Sequence, residues 1–446
     1  MAAHPRTLPI PGKYVLSSVD NLMPPVYVPV VWSYVAPEAV TEPSWSEATL
    51  PGLRTSFEAT VREFFPLLNH PLRHADDIGF YVATDDDALP ALFQVGERVA
   101  GAAVPEVGEA TGEWMPPRSS YAPHDPENDA IGTEHGERSM LVRVTPMSNG
   151  VCIFAAFHHS VVDAGSIVAF MAAWSVVAEE GLEAARAKVS MTDDRSLLRG
   201  KASETELALP ITCGQAIPIE YLPQAELNAL AQTTPAPELL RKRYTRAQID
   251  AAKSAQAEGD FVPTANEVVC TDVLKTVAAR LDADAEFALQ FPANLRGRYH
   301  SLPADYFGAA VLMCITKGWR AGEIVDMPAV DVARAMRAAK AAHTSEAHIQ
   351  TVLDWEASRP SKPRVFVEAD GHHLALTNWT SFEFYDITLG LGQPSLVIVG
   401  YAMWIPFLGY LLPCEPSAGR AIDVIVSLPP RSDKARQEPN ELSMCS

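Results

Sequence analysis

The six cysteines of this 446-residue chain never come in close pairs. Cys152, Cys213, Cys270, Cys314, Cys414 and Cys445 include no Cys-x-x-Cys, so neither a zinc site nor a disulfide framework is expected, and the chain reads as reduced and cytoplasmic. Basic residues are also scarce. The 35 Lys plus Arg face 55 Asp plus Glu, a formal charge of -20 at pH 7, which argues against nucleic acid or an anionic membrane as the main partner. An anionic ligand then needs a local basic pocket; Arg241, Lys242, Arg243 and Lys253 are candidates, although such a run is more often a solvated face. Gly-x-Ser-x-Gly, P-loop and His-Glu-x-x-His patterns are all absent, which leaves serine acyl hydrolysis, nucleotide hydrolysis and zinc proteolysis without support.

No apolar run opens the sequence, where Pro5, Pro9 and Pro11 interrupt what a secretion signal would need. The uncharged stretch Ser395–Cys414 has about the length of a bilayer span. Pro394, Gly400, Pro406, Gly409 and Pro413 divide it into pieces of strand length rich in Val397, Ile398, Val399, Tyr401, Trp404 and Ile405, and no basic cluster flanks it. It therefore predicts two buried strands and a turn, with no membrane span.

What the chain does have is apolar mass: 48% hydrophobic residues against 20% charged, enough for one very large globular unit or two ordinary domains. Helical and strand periodicities alternate, as in a mixed α/β protein. Ser56 to Leu68 reads as an amphipathic helix, Met140 to Val144 and Val151 to Phe157 as strands joined at Ser148-Asn149-Gly150, and Ser166 to Glu180 as a helix. Residues 187–243 are polar and proline-dotted, which places a crossover between a first half, 1–186, and a second, 244–446. The second half predicts helices at 244–253 and 266–281, strands at 286–291, 308–316, 395–401 and 421–427, and a loosely held tail from Pro429.

Between the second strand and its helix lies His158-His159-Ser160-Val161-Val162-Asp163-Ala164-Gly165. A bare His-x-x-x-Asp is short enough to arise by chance. This one is the only such spacing in the chain and sits at a strand-to-helix turn, where functional side chains are commonly displayed. A histidine there can take a proton from a hydroxyl or amine near neutrality, and Asp163 can orient the ring or pair with a cation. The bland alternative is a core histidine followed by an Asp that only caps the helix. His372-His373, His343 and His348 read as ordinary polar residues, with no metal expected.

The octad resembles the HHxxxDG signature shared by acyl-CoA-dependent acyltransferases of the BAHD superfamily, peptide-synthetase condensation domains and carnitine acyltransferases. Tyr385-Asp386-Ile387-Thr388-Leu389-Gly390-Leu391-Gly392-Gln393-Pro394 resembles the Tyr-x-x-Asp-Phe-Gly-Trp-Gly-Lys-Pro segment of BAHD enzymes, which condensation domains lack. Leu16-Ser17-Ser18-Val19-Asp20 is similar to the family's LSxxD, Arg54 to Leu68 to its first helix, Asn294-Leu295-Arg296-Gly297-Arg298 with Tyr306-Phe307-Gly308 to its R-x-R and YFGN segments, and Thr377-Asn378-Trp379 to its Thr/Ser-x-Trp. Thr388 stands where the family has Asp, Leu389 and Leu391 where it has Phe and Trp, and Ala309 where it has Asn; these departures and the Ala-rich sequence lean towards a divergent member of the fungal, trichothecene acetyltransferase-like group.

The resemblance implies two pseudo-symmetric mixed-sheet α/β domains with a channel between them. Acyl-CoA, acetyl-CoA foremost, would be the co-substrate, with no tightly bound cofactor, and a specialised metabolite would offer the hydroxyl or amine acceptor. It implies that His159 is the general base in a ternary complex, that Asp163 is held by Arg296 as a scaffold, and that Trp379, Thr377 and Asn378 stabilise the oxyanion or orient the acceptor. Thr388, Gly390 and Gly392 fall on the motif associated with acyl-CoA binding. A monomer is implied by resemblance alone. Two other readings stay open: a free-standing condensation-type domain drawing on a carrier-bound donor, and a non-acylating relative that only binds or cyclises a metabolite.

Overall fold

A computed structural model describes residues 12–24, 27–37, 44–75, 77–85, 92–99, 101–105, 138–201, 238–300, 302–359, 373–399 and 406–429. His372, Cys213, Cys445, the 400–405 part of the uncharged stretch and the tail from residue 430 lie outside them.

Two mixed sheets organise the chain, with helices packed against them and a small three-stranded sheet beside the first. The five-stranded sheet runs in the order Leu396–Val399, Tyr27–Val35, Gly150–His158, Met140–Pro146, Leu92–Val95. The seven-stranded sheet runs Val311–Ile315, Glu286–Asn294, His373–Asn378, Leu408–Pro413, Ile422–Leu428, Glu238–Tyr244, with Trp319–Arg320 paired to one side of Glu286–Asn294. Most neighbours are antiparallel, but His373–Asn378 runs parallel to both of its partners. This is the α/β architecture with mixed sheets that the alternating periodicities predict.

The central strand Gly150–His158 is buried along its whole length, because it has sheet neighbours on both sides and a helix across its face. That helix, Ala164–Glu180, presents Ile167, Phe170, Met171, Trp174 and Val177 to the first core, each burying enough apolar surface to contribute about 1.5–3 kcal/mol. Trp174 packs edge-on to Phe57 at 5.3 Å, and its indole N–H donates to Ser56 Oγ at 3.0 Å, which ties this helix to helix Ser44–Phe64. The latter begins well before the expected Ser56 and carries Pro51 inside it.

One further boundary differs from the sequence reading, for a local reason. Tyr244, expected to start a helix, ends strand Glu238–Tyr244, because Thr245 caps the next helix through a reciprocal bond with Gln248. The uncharged stretch does form two strands, but they join different sheets: Leu396–Val399 leaves the second half and pairs with Tyr27–Val35, while Leu408–Pro413 stays in the seven-stranded sheet. The segment that leads across is anchored where Trp32 Nε1 donates to the Phe384 carbonyl at 3.0 Å and Tyr34 Oη to the Ile387 carbonyl at 2.7 Å. No helix among the described residues is long and apolar enough to cross a membrane.

Candidate functional site

The doubled histidine divides by environment. His158, the last residue of its strand, is buried against the edges of Tyr27 and Phe80 at 5.4 and 5.5 Å, and its Nδ1 accepts from the Ser160 N–H at 3.3 Å. His159 is half-buried on the turn that follows. Its Nδ1 lies 3.0 Å from the Val162 carbonyl, and since a carbonyl only accepts, Nδ1 carries the proton and Nε2 keeps a free lone pair. Desolvation is the largest influence on the ring and holds it below its ordinary 6.5, with the Asp163 and Asp20 carboxylates opposing. A neutral imidazole with a bare Nε2 is what proton abstraction requires.

Asp163 does two jobs. Its Oδ1 accepts from the Ser166 N–H at 2.9 Å, which caps helix Ala164–Glu180, and both its oxygens accept from Arg296, at 2.7 and 2.9 Å. Ala310 N–H adds a further bond at 3.0 Å. Burial by itself would raise this carboxyl, but Arg296 and the two backbone donors outweigh it, so Asp163 titrates below its ordinary range. The guanidinium of Arg296 is filled by the Tyr306 and Gly308 carbonyls and by Ser166 Oγ, so the pair clamps residues 306–308 of the second half onto the first turn of the helix. Asp163 thus caps the helix and pairs with Arg296 at once.

The second motif docks on the far end of the same helix, 17 residues long and so about 25 Å from one end to the other. Ser175 Oγ accepts from the N–H groups of Thr388 and Leu389 at 3.1 and 2.8 Å. Glu179 accepts from the Thr388 hydroxyl and from Gly390 N–H, the latter at 3.1 Å. Leu389, Gly390 and Gly392 have φ of 53°, 74° and 88°, a left-handed turn that explains why the two glycines stand there. No acid sits at 388, but a carboxylate reaches this turn from Glu179. Thr388, Gly390 and Gly392 are thus placed on the helix's C-terminal end, away from the turn that carries His159.

Trp379 is buried and stacked on Phe384 with ring centroids 5.6 Å apart and an interplanar angle of 17°, and its indole N–H has no hydrogen-bond partner among the described residues. Thr377 is half-buried on strand His373–Asn378. Asn378 is already engaged, its amide donating to Asn266 Oδ1 at 2.6 Å and its oxygen accepting from Thr380. A cleft of about 220 Å³ opens at the seam between the halves, lined by Phe65, Gly165, Asn294, Arg296, Tyr306 and Phe382 among others; it adjoins the Asp163–Arg296 pair, and His159 does not line it.

The basic run offered for anionic ligands is largely paired. Lys242 bonds Asp272 at 2.7 Å, and Arg243 bridges Asp423 and Glu415. Residues the sequence reading passed over include Ser175, Glu179 and a second buried pair, Asp20 with Arg195 at 3.0 Å. Asp20 closes the segment Leu16-Ser17-Ser18-Val19-Asp20, but nothing in its spacing points to a partner 175 residues away.

The Transferase family profile matches residues 8–441 of the chain. The BAHD acyltransferase DCR of Arabidopsis thaliana is 24% identical over 412 residues, spanning 87% of this chain and 78% of that protein. Among solved structures, F. graminearum TRI101 complexed with coenzyme A and deoxynivalenol superposes with a TM-score of 0.71 at 14% identity, over 94% of this chain and 95% of that one. Vinorine synthase superposes at 0.60 and 17% identity, over 99% and 94%.

Proposed function

The chain belongs to the Transferase family, within the BAHD superfamily of acyltransferases, and from that premise we propose that it moves an acyl group, acetyl foremost, from acyl-CoA to a hydroxyl or amine of a small specialised metabolite. The observation that carries the reading is the His159 turn, where Nδ1–H is tied to Val162 and Nε2 is left as the base. In the step proposed, Nε2 takes the acceptor proton as the acceptor's oxygen or nitrogen attacks the thioester carbonyl. The tetrahedral adduct then expels the CoA thiolate, the C–S bond breaks, and the imidazolium returns the proton to sulfur, giving acylated acceptor and free CoA. Trp379, with an unengaged N–H, is the candidate donor to the oxyanion, and Thr377 the candidate for orienting the acceptor. Asn378 contributes by holding the end of its strand.

Asp163 and Arg296 act in this proposal as scaffold, fixing the helix that follows the base. Thr388, Gly390 and Gly392 shape the opposite end of that helix, and any part they take in acyl-CoA binding runs through that placement. The TRI101 complex, which holds coenzyme A together with deoxynivalenol, supports a small-molecule acceptor beside CoA.

The test is a thermal shift of the purified protein with CoA, acetyl-CoA and longer acyl-CoAs, since a ligand that binds only the folded state raises the midpoint by mass action. A shift that depends on acyl chain length supports the reading and names the donor. No shift with any thioester, from a folded sample, overturns it in favour of a carrier-bound donor or a non-acylating relative.

A further inference from the structure

Arg195 is 1% exposed and Asp20 fully buried, yet this pair is not sealed in on itself. Arg195 Nη1 takes both Asp20 oxygens, at 3.0 and 3.1 Å, while Nη2 reaches out to the Val161 carbonyl at 3.0 Å. Val161 belongs to the turn that carries His159. Within that turn the Val161 and Val162 N–H groups fold back on the His158 carbonyl at 2.9 and 3.3 Å, and the Val162 carbonyl receives His159 Nδ1. Asp20 is itself fixed by Ser17 N–H and Oγ at 2.8 and 2.7 Å and by Ala309 N–H at 2.9 Å. A Cβ at residue 308 would stand 1.6 Å from Arg195 Nη1, so the glycine there is required for the guanidinium to lie where it does.

We propose that Asp20 and Arg195 are positioning residues for His159: Nη2 of the guanidinium pins Val161, which keeps the turn closed, the Nδ1–H on Val162 and a single tautomer with Nε2 bare. This rests on the reading of His159 as the base. A pair serving only stability could place Nη2 on any buried carbonyl; here the acceptor is Val161, the residue before the carbonyl that receives His159 Nδ1, so the pair fixes the backbone that holds the ring in one tautomer.

Arg195→Lys separates the two roles, because a single ammonium can stay with Asp20 but cannot also fill the fork that reaches Val161. The full-length parent and variant would be labelled with ¹⁵N-histidine and the His159 ring signals, identified by their loss in His159→Ala, recorded above the ring's titration. The parent should show one tautomer with Nδ1 protonated; Arg195→Lys should show exchange between tautomers, a kcat for acyl transfer lowered at least tenfold, and a KM for acyl-CoA within about twofold of the parent. If Arg195→Lys does not fold, the neutral double variant Asp20→Asn/Arg195→Met is read in the same way. An unchanged tautomer in the folded variant of an active enzyme overturns the positioning role alone. Tautomer exchange in the variant, with a parent that transfers no acyl group, upholds the positioning and overturns the functional reading instead.

Discussion

Asp163 and Arg296, 133 residues apart, meet through both carboxylate oxygens at 2.7 and 2.9 Å, with side chains only 3% and 9% exposed. One end of the pair caps the helix that follows the His159 turn and the other grips the backbone at Tyr306 and Gly308, so this contact ties the first turn of that helix to the second half of the chain.

Removing one member of such a pair strands the other. Asp163→Ala leaves a buried guanidinium without its counter-charge, and the expected loss is about 3–5 kcal/mol, with turnover lost as well. Urea denaturation monitored by circular dichroism measures it. A midpoint equal to the parent's would contradict the scaffold role.

Thr388 occupies the position where BAHD relatives have Asp, and restoring the acid should do harm here. Glu179 already accepts from the Thr388 hydroxyl and Gly390 N–H, so Thr388→Asp sets two carboxylates against each other. The expected result is a lower melting midpoint for Thr388→Asp and recovery when Glu179→Gln is added, read as a double-mutant cycle. A variant more stable than the parent would mean that Glu179 does not stand in for the missing acid.

How much of this was legible in the sequence follows from the range of each interaction. Helix Ala164–Glu180 could be read because its apolar residues repeat at helical spacing and Asp163 precedes it at capping distance, both local signals. His159 could be singled out by spacing, and by resemblance so could Arg296 as the partner of Asp163. Glu179 could not, since its bond to Thr388 closes a loop of 209 residues and nothing in either residue's neighbours announces the other. The same holds for Leu396–Val399, read correctly as a strand but pairing with Tyr27–Val35 in the other half. Which of two adjacent histidines is enclosed is likewise decided by what packs on them: Tyr27 and Phe80 cover His158, while His159 is half-buried.

Trp379→Phe keeps the aromatic stack on Phe384 and deletes only the N–H. If that N–H meets the oxyanion, kcat should fall by about a hundredfold with KM for acyl-CoA little changed. An unaltered kcat would assign Trp379 to packing.

Burial holds His159 below its ordinary 6.5, so the ring stays neutral to lower pH than a free histidine. The acidic limb of the kcat/KM profile should therefore lie below about pH 6.5. The sign for stability follows: below the unfolded value the unfolded chain binds a proton that the folded ring resists, so this group's contribution to stability falls as pH drops through that point. Removing the ring in His159→Ala should lessen that loss; a limb above pH 7 would contradict the environment assigned to the base.

The central claim, that His159 Nε2 abstracts the acceptor proton, is tested most directly by CoA release from acetyl-CoA in an acceptor screen, run on the parent and on His159→Ala at matched folding by circular dichroism. Acceptor-dependent release from the parent that falls at least a hundredfold in His159→Ala is the expected result. Full release retained by His159→Ala would contradict it.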